Sequence, residues 1–562
     1  MDGPWDSVDL KPTVKRVDVW EISGKPKGQR LHELEDDIKL ATRQIYKCCH
    51  HPVAWYNRAI YLEELGYSDL AAGDFYKAIL LCNAALDNVE ETRAMGDYVR
   101  LILGMGLWMF QPELWNQVTA EDFRAAIEDT LSQTRIRSYD QLTRCMNDMQ
   151  AFWDLYHLGE ETVTKLFEKI PSDLDKDTAE SLLARPLQAV DALRASYRLW
   201  QKHSGITDDL QLIETMRTGN SYSRQWPWLR KSRLRRSKKL LADINREMEK
   251  ASDGKLVVRN SAIRDGLGGD SKESPDVLGV FAAKDIAAGD LALLDSTMLS
   301  ALDYPDTNSC SHCQRIFSWP PTHCSNLNCS TRFCTDLCLE MASECYHKPL
   351  CGKDFSWMYT EGEPRENQHA AIMLRIIAAS VQRGCHPLEH TLIARLTATY
   401  AGDKLEGYSF KGQITTPHRI LEQLTIDPFS TPHFDTWVLR TIRSRLMTNM
   451  LKDHSRSRDM VAVMPLYSLF NHSCSAPLSY RRIEHHEGTS DLALCADVGI
   501  RRGDEVFVKY VACEDGSEVR ERRERLWCWF GGGCACERCA REAGDAGEEG
   551  EEMEVGEGKG RS

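Results

Sequence analysis

The residues best suited to chemistry are cysteines and histidines concentrated in a few short stretches. Residues 310–351 hold four successive pairs of such ligands, namely Cys310, Cys313, Cys324, Cys329, Cys334, Cys338, His347 and Cys351. Ligand pairs two to four residues apart let a tight turn or one helical turn aim both side chains at one ion, and eight soft ligands are enough for two tetrahedral zinc ions. The alternative, free or disulfide-bonded cysteines, is less favoured at this spacing.

A second stretch, "LFNHSCSAP" over residues 469–477, sets polar residues directly after an apolar run. Asn471 and His472 are costly to bury unless they are hydrogen-bonded, so the stretch is either a locally satisfied turn or a site. Downstream, "CACERC" supplies three more thiols, Cys534, Cys536 and Cys539. Three thiolates are one short of a structural zinc site, and we predict that Cys474 completes it and closes a pocket over Asn471 and His472.

The elements that must position these residues begin with a long helical region. At 562 residues the chain is too long for one core. Residues 30–225 are rich in helix formers with apolar spacings of three and four, which predicts an all-α domain. Residues 52–85 resemble one tetratricopeptide unit, with small residues Ala59, Ala71 and Ala78 at the close approach and Gly66 between two amphipathic segments. An ordinary helical hairpin is nearly as good an interpretation.

Charge and hydropathy limit the class of protein. The net charge is −14, and much of the acid lies in residues 541–562, predicted to be a disordered tail. Residues 226–254 are predicted to be a basic helical linker; the basic run 230–239 could bind nucleic acid or direct nuclear import, but a solvated helix face is favoured. The chain shows neither a signal-peptide core nor about 18 uninterrupted apolar residues, so we expect no membrane span and a cytoplasmic or nuclear location.

The second half of the chain has a β-rich texture interrupted by two inserts. Residues 255–309 and 456–515 contain short β-rich pieces punctuated by glycine and aspartate. Between them lie the cysteine-rich segment 310–351 and a segment of helical pattern over 352–455. The predicted fold class is therefore multidomain α+β, with an all-α N-terminal domain followed by a β-rich domain that carries a metal-binding insert and a helical insert.

The cysteine-rich insert resembles the MYND zinc finger. In that family the first and third ligand pairs share one ion, and the second and fourth pairs share the other. The resemblance implies one site of Cys310, Cys313, Cys334 and Cys338, and another of Cys324, Cys329, His347 and Cys351. The spacing from Cys324 to Cys329 is wider than is usual in the family, and Cys345 offers a competing ligand.

Residues 255–540 resemble the SET domain of protein lysine methyltransferases, in the subfamily with a MYND insert. "LGVFAAKDIAAGDL" is similar to the opening strands of that domain, "SLFNHSC" to its cofactor motif and "RRGDEVFVKY" to the strand that ends in its catalytic tyrosine. "CACERC" is similar to its post-SET zinc segment, here 516–540. The resemblance therefore implies a SET core over 456–515.

The resemblance implies a cofactor and the residues that hold it. It assigns S-adenosylmethionine to Leu278, Gly279, Asn449, Asn471, His472 and Phe530, with Tyr510 as the catalytic residue that orients the substrate amine. The sequence departs from the family pattern at three places. Val277 stands where the family has its first glycine, and residues Ser475 to Leu478 lack the asparagine that usually follows the cofactor motif. Gly532 stands where an aromatic residue usually covers the adenine, a role that Phe530 or Trp529 would take here.

The function that this resemblance implies is S-adenosylmethionine-dependent methylation of a lysine on a protein substrate. Three structural zinc ions are expected, and the finger and the helical domain would bind peptide partners. The alternative is a SET and MYND adaptor with weak or no catalysis, which binds protein partners through the same two regions. Nucleic-acid binding is not favoured, because one short basic run without interleaved aromatic residues is not a recognised binding module.

Overall fold

The structure is a computed structural model that describes most of the chain between residues 27 and 545. The described residues are 27–87, 89–110, 119–149, 151, 154, 158, 219–222, 226, 228–229, 236–261, 277–297, 299–304, 308–317, 320–360, 364–397, 405–453, 459–480, 484–486, 489–511, 518–530, 534 and 536–545. Residues 230–235 of the basic run and 546–562 of the predicted tail lie outside this range.

Helices form the N-terminal region and recur between the strands of the C-terminal region. They are α1 (Lys27–Lys47), α2 (Pro52–Glu64), α3 (Ser68–Leu86), α4 (Arg93–Phe110), α5 (Ala120–Asp148), α6 (Lys238–Ala251), α7 (Asp336–Cys345), α8 (His347–Leu350), α9 (Trp357–Thr360), α10 (Pro364–Arg383), α11 (Thr391–Ala394), α12 (Thr416–Gln423), α13 (Thr436–Asn449), α14 (Val519–Phe530) and α15 (Glu537–Asp545). None of the helices in the described ranges is long and apolar enough to cross a membrane.

The strands are short, and most belong to the C-terminal region. They are β1 (Gly219–Tyr222), β2 (Leu256–Asn260), β3 (Leu278–Ala282), β4 (Leu291–Thr297), β5 (Ser300–Leu302), β6 (Thr322–His323), β7 (Arg332–Phe333), β8 (Leu405–Tyr408), β9 (Met450–Asp453), β10 (Met460–Val463), β11 (Asn471–His472), β12 (Leu478–Tyr480), β13 (Glu484–His486), β14 (Thr489–Ala496) and β15 (Glu505–Val508).

The N-terminal helices pack as antiparallel neighbours around small residues. Helices α2 and α3 form a hairpin whose turn contains Gly66 at φ 78°, a left-handed conformation that glycine adopts without steric cost. Ala59, Ala71 and Ala78 are fully buried where the helices meet. The predicted hairpin is therefore present, and whether it is a tetratricopeptide unit stays a prediction.

Three small sheets form the β-rich region and enclose a second core. Their strand orders are β11-β15-β3-β2, β5-β10-β9, and β12-β14-β13 with β4 on the other edge of β14. Buried aliphatic residues of these sheets, among them Val280, Leu293, Ala462 and Val506, pack into one cluster. The only parallel pair among the described strands is β11 with β15, and this pair positions the candidate site.

Helix α6 packs on the β-rich core, although the sequence predicts a linker at this place. Ile244 and Met248 on its apolar face are buried in the cluster of the sheets. Asn245 bonds to both backbone groups of Val258 in β2, donating to its carbonyl at 3.0 Å and accepting from its N–H at 2.7 Å. The amphipathic pattern of the helix, which the basic run obscures in the sequence, explains the difference.

Two further boundaries differ from the prediction. The regions predicted to be purely helical also contain strands, β1 in the first and both β8 and β9 in the second. Strand β1 pairs antiparallel with β8, from Gly219 opposite Tyr408 to Tyr222 opposite Leu405. Helix α15 continues to Asp545 instead of ending at residue 540. Glu542 lies one helical turn after Arg538 and accepts from it at 2.8 Å, which stabilises this extension.

Buried ion pairs join the N-terminal helices to the helical insert. Arg58 of α2 donates to Asp74 of α3 at 2.6 and 2.8 Å, and its Nη2 also reaches Asp435 at 3.1 Å. Lys77 approaches Asp435 at 3.3 Å. Asp435 is also the N-cap of α13, since it accepts from the Thr436 N–H at 2.8 Å. We call these four charged residues the 58–435 network; they fasten the two helical regions together.

Candidate active site and metal centres

The parallel strands β11 and β15 bring the polar motif and the predicted catalytic tyrosine side by side. Asn471 lies opposite Phe507 and His472 opposite Val508. Tyr510 follows β15 by two residues, and its ring centroid is 5.3 Å from that of His472. The two stretches are far apart in sequence, so this proximity depends on the sheet.

The imidazole of His472 links Tyr510 to the C-terminal cysteines. Its Nδ1 accepts a hydrogen bond from the backbone N–H of Tyr510 at 3.1 Å, and its Nε2 lies 3.3 Å from Cys474 Sγ. Burial lowers the pKa of His472 to about 4, so the ring is neutral at physiological pH. A neutral ring that accepts at Nδ1 carries its hydrogen on Nε2, which then points at the sulfur.

The hydroxyl of Tyr510 is fixed by the backbone beside the motif. It donates to the carbonyl oxygen of Phe470 at 2.7 Å. Burial raises the pKa of Tyr510, so the phenol stays protonated at neutral pH. Because its hydrogen is used by Phe470, the oxygen lone pairs remain available to an approaching donor group.

Glu505 organises the other side of the motif, a residue that the sequence does not single out. Asn471 Nδ2 donates to Glu505 Oε1 at 2.8 Å and to the Leu278 carbonyl at 3.1 Å. Ser261 Oγ donates to the second carboxylate oxygen of Glu505 at 2.9 Å. A Cβ added at Gly279 would lie 2.2 Å from Glu505 Oε1, so a larger residue there would displace the carboxylate from Asn471. The one signal in the sequence is an acidic residue at the start of an apolar strand.

Asp295 holds the turn that leads into the motif. Its Oδ2 accepts from the backbone N–H groups of Leu466 at 2.9 Å and Tyr467 at 2.7 Å. The side chain is buried, and burial raises the pKa of Asp295 to about 7 although these hydrogen bonds oppose the shift. Sequence reasoning missed this residue too; an aspartate inside the apolar run "LALLDST" was the available signal.

The structure brings Cys474 together with the three cysteines near the C-terminus. The four sulfur atoms of Cys474, Cys534, Cys536 and Cys539 lie within 4.8 Å of one another. Cys474 Sγ is 3.6 Å from Cys539 Sγ and 4.0 Å from Cys534 Sγ, close to the sulfur spacing of about 3.8 Å in a tetrahedral zinc site. The guanidinium of buried Arg522 lies 3.6 Å from Cys539 Sγ and places a positive charge beside the group.

The cysteine-rich insert contains two ligand groups, divided as the resemblance implies. In each group the ligand atoms lie within 4.8 Å of one another; the groups are Cys310, Cys313, Cys334 and Cys338, and Cys324, Cys329, His347 and Cys351. A turn closed by a hydrogen bond from the Cys329 N–H to the Asn326 carbonyl at 2.9 Å accommodates the wide spacing after Cys324. Cys345 belongs to neither group.

The donor chemistry of all three groups fits zinc. Sulfur–sulfur distances of 3.4 Å between Cys334 and Cys338 and 4.0 Å between Cys474 and Cys534 match a closed tetrahedral site of four ligands. A closed site has no position open to a substrate, so an ion held by these groups would be structural.

Two residues of the predicted cofactor set stand apart from this arrangement. Asn449 is at the end of α13, where its Nδ2 donates to the carbonyls of Thr397 at 2.8 Å and Arg445 at 2.7 Å. Its contact with a cofactor stays a prediction. Phe530 is the last residue of α14, and its side chain lies outside the described part of the structure. The Trp529 side chain also lies outside the described part of the structure, and Gly532 falls in the undescribed residues 531–533.

Comparison with known proteins identifies the domain that contains the site. Residues 277–511 match the model of the SET domain family. The match extends from Val277, directly before β3, to the residue after Tyr510 and includes both inserts. No curated protein matches the chain. Residues 277–511 therefore contain a SET domain, and since SET domains are typically protein lysine methyltransferases, the match supports a methyltransferase at that level.

Proposed function

We propose that the protein is an S-adenosylmethionine-dependent protein lysine N-methyltransferase with a MYND-type zinc finger and a tetratricopeptide-like docking region. The observation that carries the proposal is the hydroxyl of Tyr510, held by the Phe470 carbonyl at 2.7 Å beside the neutral ring of His472. This arrangement supplies an oriented oxygen acceptor at the edge of the sheet that carries Asn471 and Gly279.

Tyr510 orients the lysine amine. Its oxygen accepts a hydrogen bond from the amine, which turns the nitrogen lone pair toward the methyl group in an in-line approach. Because burial raises its pKa, the phenol does not act as a general base at neutral pH. The amine must therefore lose its proton before transfer, and a desolvated site favours the neutral amine.

The cofactor site is formed by Leu278 and Gly279 on one side and Asn471 and His472 on the other. Bound S-adenosylmethionine would supply a methyl group on a sulfonium centre. Asn471 provides the test of fit: its Nδ2 hydrogens are used by Leu278 and Glu505, and among the described residues no donor pairs with its Oδ1. That half-buried oxygen can accept from the cofactor's ammonium group.

The three zinc ions would stabilise the finger and the C-terminal segment. The group that contains Cys474 would hold residues 534–539 against the motif and narrow the access to Tyr510. The finger and the N-terminal helices would bind the protein substrate or other peptide partners, in the cytoplasm or the nucleus.

Cofactor binding is the first test. Isothermal titration with S-adenosylhomocysteine, the demethylated product, should give a saturable signal for the wild type. Asn471→Ala should weaken this binding at least tenfold, because the cofactor loses a polar contact and Glu505 loses a donor. Asn83→Ala, a substitution in α3 remote from the sheets, is the matched control and should bind as the wild type does. No binding by the wild type would favour the adaptor.

Methyl transfer is the second test. Radiolabelled S-adenosylmethionine added to a protein extract should label substrates when wild-type enzyme is present. Tyr510→Phe should lower the labelling rate about 100-fold, the order found for loss of one oriented hydrogen-bonding group. Tyr304→Phe, at an exposed position outside the site, is the control. Equal labelling by the wild type and Tyr510→Phe would remove Tyr510 from the reaction.

A further inference from the structure

A second cluster of reactive groups lies far from the SET site, where the N-terminal helices meet the helical insert. Cys49 and His50 are in the segment between α1 and α2, and Asp427 is in the segment between α12 and α13. One ligand or acid-base atom from each of the three lies within 4.8 Å of the others. The proposed methyltransferase reaction uses none of them.

The three side chains form a chain of contacts through the imidazole. Cys49 Sγ lies 3.3 Å from His50 Nδ1, and His50 Nε2 lies 3.3 Å from Asp427 Oδ2. Asp427 is held in turn by the Phe429 N–H, which donates to its other oxygen at 3.0 Å. The Cys49 backbone is fixed by the indole N–H of Trp55, which donates to its carbonyl at 2.6 Å.

Aromatic rings position the imidazole and leave the thiol within reach of solvent. The His50 ring centroid is 5.5 Å from the ring of Tyr98 and 5.4 Å from that of Phe429. Cys49 is half-buried, and the Asp427 side chain is 36% exposed. A small molecule can therefore approach the sulfur from the solvent side of the contact between the N-terminal helices and the helical insert.

We propose that Cys49 is a modification site, a nucleophilic thiolate that is paired with His50, oriented through Asp427, and adds to α,β-unsaturated carbonyl compounds. A thiol within reach of a base that a third group orients is the arrangement that activates cysteine nucleophiles. Thiolates are the reactive form of cysteine, and a neighbouring imidazolium stabilises them.

A thiol paired with an imidazolium that Asp427 orients fits the geometry better than a three-ligand metal centre. Cys49 faces Nδ1 of the ring and Asp427 faces Nε2, whereas an imidazole binds an ion through one nitrogen. Both contacts join a ring nitrogen to a group that accepts its hydrogen. The side-chain bonds to Asp427 and Cys49 raise the pKa of His50 to about 9, so the ring is an imidazolium at neutral pH.

The addition step is balanced without an oxidant or a reductant. The sulfur lone pair of Cys49 forms a bond to the β-carbon of the electrophile, and the carbon–carbon π pair moves toward the carbonyl as an enolate. His50 Nδ1 then gives its proton to the α-carbon. The product is a thioether with a neutral imidazole, and Asp427 remains a carboxylate throughout.

The test labels the full-length, zinc-replete protein with a limiting amount of N-ethylmaleimide. Cleavage after Lys47 and Arg58 releases one peptide with both Cys48 and Cys49, whose fragment masses separate the two labels. At pH 7, Cys49 should react about tenfold faster than Cys48 and Cys385, because an ordinary thiol is only a few per cent thiolate. Burial raises the pKa of both comparison thiols. Equal rates at the three cysteines would overturn the proposal.

The pH profile separates activation from simple exposure. The charged and titratable groups that face His50 are Cys49, Asp427 and the phenol of Tyr98, with Cys48 adjacent to the thiol. Between pH 6.5 and about 8 the rate at Cys49 should rise less steeply than the rate at Cys385, because the imidazolium of His50 lies beside the Cys49 sulfur throughout this range. A parallel rise at both sites would overturn the proposal, and this measurement needs no variant.

Two variants test whether the charge of Asp427 holds the imidazolium of His50 beside Cys49. Asp427→Asn keeps an oxygen for the Phe429 N–H but removes the charge that holds the imidazolium, so the rate at Cys49 should fall toward that of Cys385 and regain its pH slope. Glu422→Gln removes a nearby, largely exposed carboxylate in α12 and should change neither the rate at Cys49 nor the pH slope of that rate. A fourth zinc per chain that is lost in Cys49→Ser, with Cys49 labelled only after chelation, would show a metal site and overturn the proposal.

Discussion

Replacing Asp435 by asparagine should destabilise the whole chain, because the carboxylate neutralises two buried cations at once. The Asp435 carboxylate forms ion pairs with Arg58 at 3.1 Å and with Lys77 at 3.3 Å, and each of the three side chains is at least 93% buried. These cations hold the pKa of Asp435 at about 2, so it is fully ionised at neutral pH. Asparagine has the same shape and can still cap α13 through its oxygen, so the substitution isolates the charge.

The expected loss follows from the partners that remain. Arg58 keeps its two bonds to Asp74, whereas Lys77 keeps only the longer-range attraction of Asp74, since Asp435 is its one ion-pair partner among the described residues. Removing one partner of a buried ion pair costs about 3–5 kcal/mol. Because Asp74 still neutralises Arg58, the cost of Asp435→Asn should lie near the lower value. Asp97→Asn is the matched control. Its ion pair with Arg100 has a similar length, 3.2 Å, but Asp97 is 66% exposed, so the loss should be within about 1 kcal/mol.

Urea unfolding followed by tryptophan fluorescence measures both variants. Trp55 is a suitable reporter, since the Lys77 ammonium lies 4.2 Å from its ring centroid. The free-energy change is the shift of the midpoint multiplied by the common slope. A third variant, Lys77→Met with Asp435→Asn, removes both charges and should recover at least half of the loss. The reasoning is refuted if Asp435→Asn costs no more than Asp97→Asn, or if the double variant is the least stable protein.

Three further predictions concern the site and its supports. Cys474→Ser should lower the zinc content by one ion per chain in an elemental analysis, whereas Cys495→Ser, outside every cysteine group, should leave it unchanged. Gly279→Ala should push away the Glu505 carboxylate and weaken binding of S-adenosylhomocysteine at least tenfold, while Gly499→Ala, whose new Cβ would meet its nearest atom at 4.0 Å, should bind normally. Burial raises the pKa of Asp295 to about 7, so the folded state binds a proton as the pH falls while the unfolded state does not. Relative to Asp295→Asn, the free energy of unfolding of the wild type should increase by up to about 1.4 kcal/mol for each pH unit between pH 7.5 and 5.5. Thermal unfolding measures this difference, and equal pH slopes of the two proteins would contradict it.

Local patterns predicted much of the architecture. The helical N-terminal region, the sheet-containing SET region and the cysteine-rich clusters follow from apolar spacing, turn residues and ligand spacing. Ligand spacing is informative because two thiols a few residues apart can reach one ion wherever the rest of the chain lies. The pairing of Cys474 with residues 534–539 needed only a count of ligands.

Contacts between distant segments could not be predicted in the same way. The pairing of β1 with β8, and the bonds of Asp435 to Arg58 and Lys77, depend on the tertiary packing of helices, which no local pattern encodes. Glu505 also looks like an ordinary solvent-facing residue of a strand until Asn471 is placed beside it. The Cys49 cluster was missed for the same reason, since Asp427 is almost 380 residues away in sequence.

The neutral imidazole of His472 connects the cysteine group around Cys474 to Tyr510. One nitrogen of the ring faces the Cys474 sulfur and the other accepts from the backbone N–H of Tyr510, so two contacts join that cysteine group to the backbone of the residue that carries the phenol. Loss of a zinc ion held by that cysteine group would free Cys474 and release the ring that bonds to the Tyr510 backbone. Zinc depletion would then shift Tyr510 from its position beside Asn471 and His472.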